Sequence, residues 1–417
     1  MRAAIAAADP ARLVARALAG QPFELGSQTA VIAAGKAANG MLAAFGAVAG
    51  RRLRGGVLAS ADRPTTLPPG VDWERATHPI PGDGSARAAA RALEVAATAR
   101  AEGGDLVVLL SGGASAMLCL PASGLSVADK AETTRLMLAA ACPIHELNTV
   151  RKHLSAIKGG RLAAAAGPTL TLAISDVVGP VEDDPAVIGS GPSTPDETTY
   201  ADAVQVLERH ELIERIPEAV RRHLEAGTRG EIEETIKPGD KRLRGGTARI
   251  VGSRRDAMEG ARHEARARGY EVLVLDEAII GEARAAGPAL VTRALAAAAR
   301  QPVCVIASGE TTVHVKGRGR GSRNLEVVLS AVRGLAESTV PLAFASAGTD
   351  GVDGPTDAAG AVADGATLER SAHRGLGAPE WALDENDSYT FFDALEDLFR
   401  MGPTGTNVGD IHVVLAG

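Results

Sequence analysis

Aromatic side chains are scarce in this chain: two Trp, three Tyr and six Phe make up only 3% of its 417 residues. That scarcity disfavours a surface built to stack nucleobases. Cysteine is scarcer still. Cys119, Cys142 and Cys304 are odd in number and widely spaced. They suit neither a disulfide framework nor a zinc site and read instead as small apolar side chains in a reducing cytoplasm. No apolar run reaches the roughly eighteen residues needed to span a bilayer. Lysine is confined to Lys36, Lys130, Lys152, Lys158, Lys237, Lys241 and Lys316, with arginine at every other cationic position. Where arginine is the default surface cation, a retained lysine suggests a need for a compact, mobile ammonium. Two nucleotide signatures are also missing. No G-x-G-x-x-G follows the first strand-like run, which argues against a nicotinamide-binding unit. Gly35 and Gly40 have P-loop spacing, but Met41 and Leu42 stand where Lys and Ser/Thr are required, which rejects a Walker A loop.

What is present is an ordinary globular balance, with 45% hydrophobic and 23% charged residues and a net charge of -7. The acidic balance argues against a general nucleic-acid or membrane-surface role. The length allows two or three domains. Residues 1–20 are rich in Ala and Arg and superficially resemble a transit peptide. They contain Asp9-Pro10 and lack serine, and an amphipathic first helix is the favoured reading. Strand-like runs at 29–34, 56–60, 105–110 and 169–175 alternate with helical patterns from 36, at 84–101, 126–141 and 147–166. Such alternation predicts a parallel sheet covered on both faces. A charged, weakly periodic stretch at 231–246 suggests a boundary, giving domains 1–235 and 236–417. A second alternation follows, with strands at 248–252, 271–275, 302–307, 311–315, 340–346 and 411–415 and helices to about 269 and from about 281 to 300.

The loops carry the chemistry. Lys316-Gly317-Arg318-Gly319-Arg320-Gly321-Ser322-Arg323-Asn324 concentrates four cations between three glycines. Glycine permits close backbone approach and arginine brings a donor fork suited to phosphate or carboxylate, so the loop predicts an anion; a solvated basic turn is the bland alternative. Gly35-Lys36 sits at the carboxyl end of the first strand, where open α/β sheets gather ligands, and Lys36 reads either as a ligand-facing cation or as a helix-surface charge. Ser111-Gly112-Gly113-Ala114-Ser115 suits an oxyanion cradle, or simply a turn packing helix on sheet. Arg151, Lys158 and Arg161 are placed to share one helical face, for a ligand or for solvent. Asp176 ends a strand and is a candidate metal or hydroxyl partner, whereas Asp183 and Asp184 read as turn or cap residues. Asp350, Asp353 and Asp357 lie among glycines, a pattern suited to a hard cation such as Mg²⁺ or to a set of Asx-turns. Thr404, Thr406 and Asn407 offer hydroxyls and amides before the last strand. Together these loops describe a site of cations, glycines and carboxylates, which fits phosphoryl transfer to a small anion.

Ala34-Gly35-Lys36-Ala37, Leu110-Ser111-Gly112-Gly113, and the segments 147–161, 174–195, 307–326, 348–360 and 401–415 together resemble the glycerate 2-kinase family, whose older label is hydroxypyruvate reductase. The likeness covers nearly the whole chain, and its later part resembles that family's leucine-rich C-terminal domain. The resemblance implies ATP- and Mg²⁺-dependent phosphorylation of D-glycerate at the 2-hydroxyl, giving 2-phosphoglycerate and ADP. It also implies two unlike α/β domains, a Rossmann-like parallel sheet and a mixed one, with the active site in the cleft between them. Matching motif positions make Lys36 and Arg323 the best candidates for essential cations. Lys36 would neutralise the glycerate carboxylate or the transferring phosphoryl group, Arg318, Arg320 and Arg323 would clamp phosphate oxygens, and Asn324 would bind substrate or phosphate beside them. Asp350 and Asp353 would hold Mg²⁺, and Glu310 or Asp176 would accept the hydroxyl proton. The partners expected are D-glycerate and a nucleotide, in the cytoplasm, with no nucleic acid or membrane and with room for a homodimer. Departures stand at Ala114, Ser322, Leu325 and Gly409, and the apolar Leu325 replaces a glutamine expected beside the arginine loop. Two rival readings are an NAD(P)H-dependent hydroxypyruvate or tartronate-semialdehyde reductase, for which the fingerprint is missing, and a non-catalytic sensor of small organic acids. The sensor would keep Lys36 and the 111–115 turn but has no use for the cluster Asp350, Asp353 and Asp357.

Overall fold

The computed structural model describes residues 1–20, 26, 28–298 and 302–417. Two compact units emerge, one formed by Pro10–Val251 and the other by Gly252–Gly417 together with Met1–Asp9.

The first unit is built on six strands: β1 (Thr29–Ala34), β2 (Leu53–Ser60), β3 (Val71–Arg75), β4 (Asp105–Leu110), β5 (Thr169–Ile174) and β6 (Thr247–Gly252). They lie in the order β3-β2-β1-β4-β5-β6, and the pairs β2–β3, β1–β2, β1–β4 and β4–β5 are parallel. This is the strand order of a doubly wound Rossmann-type sheet. The apolar runs of β1, β4 and β5 are buried on both faces, as the helical crossovers require. Helix Asp83–Ala101 packs its alanines against the same core as Ile32, Val57 and Val108.

A second core belongs to helices alone. Val127–Ala139, Ile144–His153, Tyr200–Arg209 and Glu218–Thr228 bury Leu136, Leu147, Val150, Tyr200, Leu207 and Leu224 together. Ser126 starts the first of them by accepting the Asp129 N–H, while the Asp129 carboxylate returns to the Ser126 N–H. The last two helices lie between the strand expected at 169–175 and the boundary stretch at 231–246, where the alternating pattern assigned no element.

The second unit holds a mixed sheet of β7 (Glu271–Val274), β8 (Ile279–Glu282), β9 (Val303–Thr312), β10 (Leu342–Gly348), β11 (Gly360–Asp364), β12 (Leu398–Phe399) and β13 (Asp410–Ala416). The order is β12-β11-β10-β13-β9-β7, with β8 paired to β9. Strands β7 and β8 run parallel to β9, and the remaining pairs are antiparallel. Helices Ala283–Ala297 and Arg323–Ala336 cover one core with Val305, Phe344 and Val414.

Several sequence expectations change. The helix expected over 1–20 is two, Arg2–Ala7 and Pro10–Ala19, because Pro10 starts a new helix and cannot continue the old one. Residues 1–9 group with the second unit: Gly260 has no Cβ, and one placed there would stand 2.4 Å from Ala7 Cβ. The division falls after Val251, against the expected 235/236 boundary, because 236–251 stays with the first unit. Ile236 exchanges backbone hydrogen bonds with Gly159 and Asp196, and 247–252 is the first sheet's edge strand rather than the first of the next domain. The helix expected over 147–166 ends at His153, and the left-handed Gly159 and Gly160 separate it from Arg161–Ala166. Strands expected at 302–307 and 311–315 form the single strand β9, since β8 pairs with Gly309 to Thr312 and carries the ladder through. The end of the helix expected to reach 300 lies outside the described residues.

Candidate active site

In the first unit, the topological switch point lies between β1 and β4, whose following connections go to opposite faces of the sheet. The chain leaves β1 through Gly35-Lys36 and leaves β4 through Ser111-Gly112-Gly113, and these two turns interlock. Lys36 N–H donates to the Gly112 carbonyl at 2.9 Å, and Ala37 N–H to the Ser111 hydroxyl at 2.9 Å. Gly35 has φ +119, and a Cβ there would lie 2.3 Å from Ser111 Oγ. Glycine is therefore required both by conformation and by space. Ser111 is buried and acts as the latch between the turns. Gly113 is left-handed, and a Cβ on it would meet the His78 ring at 3.2 Å and Lys36 Cγ at 3.6 Å. The turns thus collect Lys36, Gly113 and His78 at the strand ends. His78 carried no signal in the sequence; it is isolated and reaches this place only through the fold. Asp176 follows β5 on the same sheet.

Behind the turn runs a buried polar relay. The Lys158 ammonium donates to Ser115 O at 2.9 Å, Ser115 Oγ at 3.1 Å and Gly189 O at 3.0 Å. Ser115 Oγ stands 2.8 Å from Ser190 Oγ, and Ser190 donates to Asn148 Oδ1 at 2.8 Å. All three Lys158 protons are thereby spent on the protein. The sequence expectation of a phosphate-binding Lys158 is corrected: it pins Ser115 and the 189 turn, and burial pushes its pKa well down. Ser115 is likewise engaged from both sides. Arg161 does not share a face with Arg151, because it begins a new helix and donates to the carbonyls of Lys152 and Glu233.

In the second unit, Arg323 opens the helix Arg323–Ala336 beside the start of β13. Its Nε and Nη2 form a bidentate pair with Asp410 at 2.7 and 3.0 Å, and Nη1 reaches Glu310 on β9 at 2.7 Å. Burial opposes the charge, but Asp410 and Glu310 outweigh it, so the guanidinium is held cationic more firmly than usual. Three of its five N–H groups are used, leaving two for a ligand oxygen. Asn324 donates to both Asp353 and Asp410 and accepts from Ser346, so its amide orders carboxylates rather than facing outward.

The glycine-rich loop is docked on the segment 385–389. A Cβ on Gly317, Gly319 or Gly321 would lie 2.2, 2.3 or 2.4 Å from Glu385, Asp387 or Ser388. Asn386 Oδ1 accepts the N–H groups of Lys316 and Gly317, Glu385 O accepts that of Gly319, and Asp387 Oδ1 that of Arg320. These glycines serve backbone packing, and the N–H groups of Gly317 and Gly319 are taken up by Asn386 and Glu385. Arg320 stacks on Tyr389 at 3.8 Å and lies 3.7 Å from Asp357. Arg318 and Lys316 remain exposed. Leu325, expected beside the loop, is 0% exposed in the core, which is why it is apolar.

The Asp350–Asp353 pair is not displayed as a pair of metal ligands. Asp353 is 2% exposed; its Oδ1 accepts from Asn324 and its Oδ2 from the Leu325 N–H at 3.0 Å, capping the helix that begins at Arg323. Burial and the neighbouring Asp410 push it up to about 6. Asp350 is half-buried on the loop, accepting from the Val352 N–H. Among the described residues no group of three or more His, Cys, Asp or Glu is arranged to hold a metal. Mg²⁺ commonly takes one carboxylate and completes its shell with phosphate oxygens and water, and Asp350 fits that use. Thr406, expected to bind phosphate, instead donates to the Ala8 carbonyl at 2.7 Å and tethers the N-terminal segment. Asn407 Oδ1 accepts from the Gly409 N–H, shaping the turn into β13.

Residues 1–225 match the family described as a domain of unknown function (DUF4147), and residues 303–410 match the MOFRL family. The glycerate 2-kinase of Pyrococcus horikoshii is 37% identical, covering 99% of this chain and 94% of that protein. The D-glycerate 2-kinase of Thermotoga maritima is 36% identical over 92% of this chain and 90% of its own. A crystal structure of the glycerate kinase from Thermotoga maritima superposes with a TM-score of 0.87 at 34% identity, covering 99% of this chain and 97% of that one. The name hydroxypyruvate reductase also occurs among the relatives. With one family model spanning more than half the chain and kinase relatives alike over nearly all of it, the chain belongs to the glycerate 2-kinase family.

Proposed function

We propose that the protein transfers the γ-phosphoryl group of ATP to the 2-hydroxyl of D-glycerate, forming 2-phosphoglycerate and ADP. The observation that carries the reading is the end-to-end likeness to glycerate 2-kinases. The interlocked turns that fix Lys36 at the switch point support it.

In this reading the 2-hydroxyl oxygen attacks the γ-phosphorus, a new P–O bond forms, and the bond to the ADP oxygen breaks. Such a reaction depends on positioning and charge neutralisation more than on a protein nucleophile. Lys36 neutralises the transferring phosphoryl group with a compact ammonium whose backbone is locked by Gly112 and Ser111. Arg323 offers its two remaining N–H groups to a phosphate oxygen, with Glu310 and Asp410 holding its plane. The exposed Arg318 and Lys316 attract the nucleotide's phosphates. Asp176 receives the hydroxyl proton. Arg151 contacts the acceptor. Mg²⁺, held by Asp350 and the nucleotide, would neutralise β- and γ-phosphate oxygens. Asp353 positions the Arg323 helix rather than binding the metal. Three buried free thiols support a cytoplasmic setting.

The test is direct. Protein incubated with D-glycerate, ATP and Mg²⁺ is expected to form ADP only when glycerate is present, and the product phosphate is expected on C2. A parallel incubation with hydroxypyruvate and NAD(P)H is expected to consume no cofactor. ADP formation independent of glycerate, or none at all, would sink the kinase reading.

A further inference from the structure

Lys130 is unusual for a lysine: it lies in the first turn of helix Val127–Ala139, is 4% exposed, and its ammonium has no hydrogen-bond partner among the described residues. Around it the fold gathers further positive charge. Arg151 and Asn148 project from helix Ile144–His153 three residues apart, one turn along a shared face. Lys158 lies beyond them, its protons spent on Ser115 and Gly189. Among the described residues, the groups acting electrostatically on Lys130, Arg151 and Lys158 are other cations and the Cys119 thiol, with no carboxylate. Burial, opposed by Cys119 and helped by Arg151, lowers the Lys130 pKa to about 8.

A second buried donor points the same way. Asn148 Oδ1 accepts from Ser190, but Asn148 Nδ2 is buried without a partner among the described residues. Its orientation is set by the chain Lys158–Ser115–Ser190–Asn148, in which Ser115 belongs to the short helix following the Ser111–Gly113 turn. Two orphaned buried donors beside uncompensated cations are costly unless an anion satisfies them. Arg151 is only half-buried, unlike Lys130 and Asn148.

We propose that Lys130, Arg151 and the Asn148 amide form an enclosed seat for the carboxylate of the acceptor acid, a role that rests on the kinase reading above. With Lys36 given to the transferring phosphoryl group, the acceptor's other charge needs its own partner. This seat supplies an ammonium, a guanidinium and an amide donor. It explains how the enzyme selects a hydroxy acid over an uncharged polyol, since a buried cation left without its anion penalises the wrong substrate.

The test uses the full chain and its Lys130→Met variant, melted with D-glycerate, with glycerol and with inorganic phosphate, all without ATP. D-Glycerate is expected to raise the wild-type Tm, and glycerol is expected to have no effect. Lys130→Met is expected to melt at or above the unliganded wild type, because an orphaned charge has been removed, yet to lose the glycerate response. Its KM for D-glycerate is expected to rise on the order of 30-fold or more, the usual consequence of losing a buried charged partner, while KM for ATP stays within about two-fold. Arg151→Gln gives the same split should Lys130→Met fold poorly. A retained glycerate response in these variants overturns the proposal. A Lys130-dependent response to phosphate but not to glycerate overturns the carboxylate assignment. If the wild type transfers no phosphate at all, the kinase reading falls, and the glycerate melts with and without Lys130 still decide whether the seat exists.

Discussion

A Cβ on Gly35 would stand 2.3 Å from the hydroxyl oxygen of Ser111 and 2.6 Å from its carbonyl oxygen. The two turns that place Lys36 are therefore in direct contact, and one tolerates no side chain where the other passes. Gly35→Ala is expected to cost about 2–3 kcal/mol of stability, from the forced φ of +119 and the clash together. Ser111→Ala added to it removes only the hydroxyl clash and is expected not to restore the wild-type urea midpoint. A double variant as stable as the wild type would show that the carbonyl contact is unimportant.

Lys36 and Lys158 should separate cleanly. Lys36→Ala is expected to lower kcat by roughly 10²–10³-fold with little change in Tm, since its loss removes charge neutralisation at the reacting group. Lys158→Met removes three buried hydrogen bonds and strands the acceptors at Ser115 and Gly189, so a stability loss of about 2–4 kcal/mol is expected. Thermal melts and steady-state kinetics on the two variants check the pair. The same pattern in both would remove the distinction.

Arg323 holds a carboxylate that is 0% exposed, Asp410. Arg323→Ala leaves that charge alone, at an expected cost of about 2–4 kcal/mol, discounted because the Arg323 side chain is itself 34% exposed. Arg323→Lys keeps the charge but loses the planar fork. It is expected to recover much of the stability and little of the activity. Denaturant titration with kcat measurement distinguishes these effects.

Two buried groups near Asp410 titrate in opposite senses. Asp353 is pushed up to about 6 by burial and by Asp410, so its contribution to stability is full below the ordinary carboxylate range and is lost as pH rises through about 6. His412 is pushed down to about 4 by burial, so its contribution is full above the ordinary imidazole range and is lost as pH falls toward about 4. Between about pH 4 and 6 they offset each other. His412→Gln is expected to expose the Asp353 trend, with stability falling on the order of 2–3 kcal/mol as pH rises across that window. Urea midpoints at several pH values measure it; a flat profile in the variant would contradict the assignment.

The alternation of apolar strands and alanine-rich helices was readable because burial on both faces leaves a continuous apolar run, as in β1, β4 and β5. Gly35-Lys36 and Ser111-Gly112-Gly113 were also readable as separate turns. Nothing local said that they interlock, because that depends on β1 and β4 being neighbours while far apart in sequence. The glycines at 317, 319 and 321 misled for the same reason. Glycine signals close approach but not its object, and here the object is the segment 385–389.

Composition, periodicity and motif spacing by themselves pointed to an α/β protein of more than one part and to a site that fits phosphoryl transfer to a small anion; the choice of Lys36 and Arg323 came from the resemblance to the glycerate 2-kinase family. Those features are local and written in residue type. Only tertiary structure decided which cations are spent on the protein and which can meet a ligand. Lys158 and Lys130 look alike in sequence, yet among the described residues one has three acceptors and the other none. The physical reason is that a buried charge is defined by its partners, and partners are assembled by the fold.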